Sequence, residues 1–260
     1  MGETDGNLRG ATFAHADMTA ARFRVTDLTG ARFEQVDMSR VVMRGVELFD
    51  VDITGVVGRL TINGVEVGPL IEAELDRRDP DRVKMRPTDP AGFREAWQIV
   101  ERRWDETVAR ARRLDPGLLH ESVQGEWSFI QTLRHLVFAT DAWIRRVMLG
   151  DPHPWHPLDL PFDQMTEAPG VPWDREVRPP LDEVLALRRD RMATMRQVLA
   201  ELTDEKLAAH TTPVTGPGWP APESYPVREC LTCILSEEWM HREYAERDLA
   251  VLESRPVTSG

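Results

Sequence analysis

The chain has 260 residues, 41% of them apolar and 29% charged, with a formal net charge of −12. That is enough apolar content for one large core or two modest ones. The acidic balance argues against a nucleic-acid phosphate partner, which needs a concentrated basic surface. No run approaches the roughly 18 apolar residues that a membrane span requires, and the polar start "MGETDGNLRG" has no apolar signal segment, so a cytoplasmic location is expected.

The N-terminal stretch carries a five-residue period. Every fifth residue from Leu8 through Phe13, Met18, Phe23 and Leu28 to Ile53 is large and apolar, and a mostly small residue such as Ala11, Ala21 or Ala31 lies two before it. Such a period fits neither a helix nor a flat strand, so each pentad is expected to form one side of a repeating coil. The large residue would point inward and the small one pack at a corner. The segment "GARFEQVDMSRVVMRGVELFDVDITG" resembles the pentapeptide-repeat family. The resemblance implies a short right-handed quadrilateral β-helix over residues 6–55. Residues 60–67, "LTINGVEV", alternate as a closing strand would. The expected domain plan is a repeat domain over 1–68, a linker over 69–89 and a helical domain over 90–260, in the α+β class.

Beyond residue 89 the period becomes helical. Asp89-Pro90 is a helix start, a capping side chain followed by proline, and Phe93, Trp97, Val100, Trp104 and Val108 form one apolar stripe. Ser128 and Gln131 make a capping box that opens a second helix running to Gly150. The Pro- and Trp-rich stretch 151–180 reads as a long loop, of the kind that more often covers a site than serves packing. A third helix is expected over about 181–203 and a fourth from about Pro226 to Leu252. Four amphipathic helices of this length imply a four-helix bundle.

The chemistry-bearing residues fall on the second and fourth helices. Glu237 and His241 are one turn apart on a face that the bundle should turn inward. His135 sits among Leu133, Leu136, Val137 and Phe138, where a buried imidazole needs a partner. Two His and one carboxylate suit zinc, nickel, iron or manganese and leave open positions for water or substrate. Spacing alone leaves plainer alternatives open: a core histidine bonded to backbone, and an i,i+4 surface pair. His153 and His156 in the loop, and Cys233 one turn before Glu237, are peripheral candidates. Cys230 and Cys233 form a C-x-x-C inside a helical pattern, which reads as buried structural thiols.

The segments "VQGEWSFIQTLRHLVFATDAWIRRVMLGDP" and "VRECLTCILSEEWMHREYAERDLAVLE" resemble the DinB/YfiT-like metalloenzyme family over roughly residues 90–254. The resemblance implies a four-helix bundle that holds a divalent ion. His135 falls at the helix-two ligand and His241 at the second helix-four ligand. Glu237 stands where the family usually has a further histidine, which leaves the choice among zinc, nickel, iron and manganese open. Relatives transfer groups with low-molecular-weight thiols such as bacillithiol or mycothiol, so the resemblance implies an S-transferase acting on a small electrophile. The competing reading is a non-catalytic interaction protein with a structural or absent metal. Its repeat coil would dock a protein or imitate DNA toward gyrase; a homodimer is a separate expectation. Nine acids and six arginines over residues 1–58 make only a mild field for that mimicry.

Overall fold

The structure is a computed structural model that describes residues 7–255. It divides into two compact units, Met1–Val56 and Val57–Gly260.

In the first unit the five-residue period is written into the backbone. Every fifth residue from Gly10 to Gly55 has a positive φ, including His15, Ala20, Val25, Gln35, Arg40 and Asp50. A second period of ten is superimposed on it. The Asn7, Asp17, Asp27 and Asp37 side chains accept from the backbone N–H two residues on, at 2.8–3.0 Å. The N–H groups of Ala11, Ala21, Ala31 and Val41 close turns onto Leu8, Met18, Leu28 and Met38. These are Asx turns, in which a short polar side chain replaces a backbone partner. The closed quadrilateral coil expected from the sequence is not shown by these residues: no strand lies among the described residues before Thr61. The large side chains are also not inward, with Leu8, Phe13, Phe23 and Ile53 between 55% and 65% exposed. The turns satisfy polar groups locally, within one or two pentads, and create no interior.

The second unit opens on a two-residue hairpin, β1 (Thr61–Ile62) and β2 (Val65–Glu66), paired antiparallel. Asn63-Gly64, both at positive φ, make the turn, the signature of a type I′ hairpin. A single closing strand over 60–67 is therefore replaced by a hairpin. Residues 69–89 are also not an open linker. They hold α1 (Gly68–Arg78) and α2 (Asp81–Lys84). Ion pairs tie this stretch to the bundle, with Arg103 reaching Asp79 at 2.8 Å and Asp81 at 2.7 Å.

The bundle consists of α3 (Pro90–Ala111), α4 (Phe129–Thr140), α5 (Leu181–Ala200) and α7 (Val227–Glu253), with a short α6 (Asp204–Ala208) before the last connection. α3 and α4 each pack against both α5 and α7. The expected caps are present: Asp89 accepts from the Gly92 N–H, and Ser128 and Gln131 cap reciprocally. The α3 stripe is buried at Phe93, Trp97, Val100 and Trp104, and Val108 packs at its edge. Instead of continuing as one α-helix to Gly150, α4 passes into π-helical turns over Asp141–Met148. The face of α5 is not purely apolar either, because Arg188 and Arg191 are buried on it. No helix among the described residues is long and apolar enough to cross a membrane.

Candidate metal centre

His135 is 5% exposed in the middle of α4. Its Nδ1 lies 2.9 Å from the Leu160 carbonyl oxygen, supplied by the long loop. That oxygen can only accept, so Nδ1 donates to it, and in the neutral ring Nε2 keeps a free lone pair. Nε2 in turn lies 3.2 Å from Glu237 Oε2. The same oxygen lies 3.1 Å from His241 Nε2. All three side chains thus offer ligand atoms within 4.8 Å of one another. The structure brings together the three residues singled out in the sequence.

The electrostatics follow from this geometry. Burial pushes the Glu237 carboxyl up, but the His135 and His241 rings beside it outweigh that and hold the group well below the usual carboxylate range. With Nδ1 committed to Leu160, the His135 lone pair points at a carboxylate oxygen. Two acceptors at 3.2 Å repel unless a second proton or a cation lies between them. Oxygen–nitrogen separations of this size match the edges of a coordination shell with bonds of roughly 2.0–2.2 Å. The donor set therefore fits a divalent ion.

Aromatic rings close one side. Trp127 lies 4.6 Å from the His135 ring and stacks on His241 at 5.8 Å and 13°. Tyr244 meets His241 edge-on. Trp127 is tethered through its Nε1–H to Asp163, which also pairs with Arg175.

Two family models match the chain. The DinB superfamily matches residues 99–245, more than half of the chain and all three residues of the cluster. The chain belongs to the DinB superfamily. Pentapeptide repeats, eight copies, match residues 7–45. Comparison with curated proteins and with solved structures gave no match. DinB proteins bind divalent metal ions, the group for which this cluster is suited.

The remaining candidates of this DinB domain lie outside the cluster. The His156 ring turns back to accept the Leu158 N–H on its Nδ1, and His153 is exposed. Cys230 and Cys233 are free thiols; burial pushes them up to about 11 and about 12, so both stay protonated near neutrality. Sequence reasoning missed the residues that hold the loops in place. Arg134, fully buried, donates to the carbonyls of Leu158 at 2.8 Å, Val177 at 3.2 Å and Asp174. Arg146 does the same for Pro152, Val214 and Gly216. Gly218 passes so close that a Cβ there would sit 2.9 Å from the Arg146 guanidinium. An arginine in an apolar helical stripe was the only signal available for either.

Arg134→Ala should cost about 3 kcal/mol, because a fully buried guanidinium that donates to three loop carbonyls is lost at once. Chemical denaturation measures the loss, and protease cleavage within 158–177 should accelerate with it. An unchanged cleavage rate would show that other contacts hold the loop.

Proposed function

We propose that the chain is a divalent-metal-dependent enzyme in which His135, Glu237 and His241 hold the ion, and that it transfers a low-molecular-weight thiol to a small electrophile. The observation that carries the metal reading is the His135 lone pair facing Glu237 Oε2 at 3.2 Å, a contact that a cation turns from repulsive to attractive. Zinc and nickel suit the donor set best, and iron or manganese are accommodated by it.

A divalent ion bound there would supply Lewis acidity and lower the pKa of an incoming thiol. The chain's own residues do the rest. Leu160 orients the His135 ring through Nδ1, the arrangement that fixes a ligating tautomer. Two neutral imidazoles and one carboxylate leave a net charge of +1 with a divalent ion, which attracts an anionic sulfur. Trp127 and Tyr244 cover the imidazole faces and limit water. Cys230 and Cys233 remain protonated, so the nucleophilic sulfur has to come from a free thiol.

The test is elemental analysis of the purified full-length protein followed by zinc titration after chelator treatment. About one ion per chain is expected, and a protein that takes up none overturns the reading. Thiol transfer is tested separately, by following loss of bacillithiol or mycothiol with a model electrophile. Activity from metal-loaded protein is expected, and its absence with both thiols would remove the transferase reading.

A second reading concerns the N-terminal unit. Its exposed row of Leu, Phe, Met and Ile favours a docking role, with a partner, or closure of the pentads into a coil, covering that row. Deleting residues 1–56 should leave helical circular dichroism and zinc uptake unchanged, because every ligand lies beyond residue 130. Loss of either would make this unit part of the bundle's own core.

A further inference from the structure

Asp159 in the long loop and Asp141 at the start of the π-helical turns are both 0% exposed, with their carboxyl groups near enough to act on each other. The two are not equivalent. Arg191 grips Asp141 with Nε at 3.0 Å from Oδ1 and Nη2 at 2.6 Å from Oδ2, and Arg145 approaches Oδ1 at 3.5 Å. Asp159 Oδ2 accepts only the His156 N–H, at 3.1 Å, and Oδ1 is buried with no donor. A bare carboxylate oxygen there would be an unpaired buried charge beside another carboxylate.

We propose that Asp159 keeps its proton on Oδ1 and donates it to Asp141, and that this shared-proton clasp positions His135 by seating the Leu158–Leu160 peptide against α4. The peptide is fastened at each residue: Leu158 O takes Arg134 Nε–H, Asp159 meets Asp141, and Leu160 O takes His135 Nδ1–H. Asp159 is a positioning residue. Burial first, and then the Asp141 charge, push its carboxyl well above the usual range. The charged and titratable groups around the pair are Arg191 and Asp190 from α5, Arg145 from the π-helical turns, Arg134 from α4 and His156 in the loop. Its folded pKa is raised, so the clasp is whole below the unfolded aspartate value of about 3.9 and is lost as pH rises through the folded value.

The consequence for an ion rests on the metal reading; the proton does not, so the metal-free full-length protein is used. Infrared spectroscopy near neutral pH, with and without 13C-aspartate, should show a protonated carboxyl band that Asp159→Asn removes. The amide side chain of that variant would retain an acceptor for the His156 N–H and a donor for Asp141. Amide exchange at His156, Leu158 and residue 159 should therefore stay within about twofold in Asp159→Asn, and accelerate roughly tenfold in Asp159→Ala. In the wild type, loss of the band with rising pH should coincide with loss of that protection; a merely structural aspartate would give neither. No band in the wild type, a band that survives Asp159→Asn, or a band that titrates while protection stays constant overturns the proposal. A protein with band and clasp that takes up no zinc would fail the metal reading and leave this one standing.

Discussion

Replacing His135 with alanine should abolish zinc uptake, lowering affinity by roughly 100-fold or more, since ligands must be fixed about a shared ion to bind it. Of the three proposed ligands, His135 has the least freedom. It is 5% exposed, and its ring orientation is set by Leu160. His156→Ala should leave uptake unchanged, because that ring is committed to the Leu158 N–H. A thermal-shift titration separates the two: at zinc roughly 100-fold above the wild-type Kd the wild type should gain about 2.7 kcal/mol, and the His135 variant about 0.4 kcal/mol or less. Equal shifts in both would mean that zinc binds elsewhere.

Truncating Glu238 to alanine should cost about 3–5 kcal/mol, a large share of the stability of an ordinary domain. Glu238 is 1% exposed and receives both Arg188 Nη groups at 2.6 Å. The guanidinium, itself 3% exposed and stacked near Trp104, would be left charged and unpaired between α5 and α7. The double variant Arg188→Met/Glu238→Leu should recover most of the loss, since replacing both partners with apolar groups of similar volume is often neutral. Urea unfolding of the single and double variants measures this. A double variant as unstable as the single would show that packing, not the unpaired charge, sets the cost.

Adjacent glutamates on α7 thus have different fates, and the difference shows where sequence reading stops. The helical pattern puts both on the inward face, and both are there. Glu237 faces α4, where His135 lies 3.2 Å away, whereas Glu238 faces α5 and is consumed by Arg188. A helical wheel gives the face but not which neighbour stands opposite. The N-terminal unit shows the reverse problem. Its large residues give a period of five, from which a closed interior follows by inference. The polar residues Asn7, Asp17, Asp27 and Asp37 carry a ten-residue turn period that the apolar pattern does not reveal, and these turns satisfy the chain locally.

By itself the sequence determined the presence of the four bundle helices, the caps of the first two and the three residues of the cluster. Those depend on local chemistry and on periodicity: a Ser-x-x-Gln box, an apolar stripe and an i,i+4 spacing are complete within a few turns. The hairpin at Asn63-Gly64 is equally local and its turn signal stands in the sequence. Only the tertiary structure decided that Leu160 fixes the His135 tautomer, that Arg134 and Arg146 gather loop carbonyls, and that Asp159 meets Asp141. Each of these joins residues that are far apart in the chain, or depends on π-helical turns that no sequence pattern marks. Long-range partners are selected by which buried donors and acceptors remain unsatisfied once the helices have packed, and that is settled only when the fold is complete.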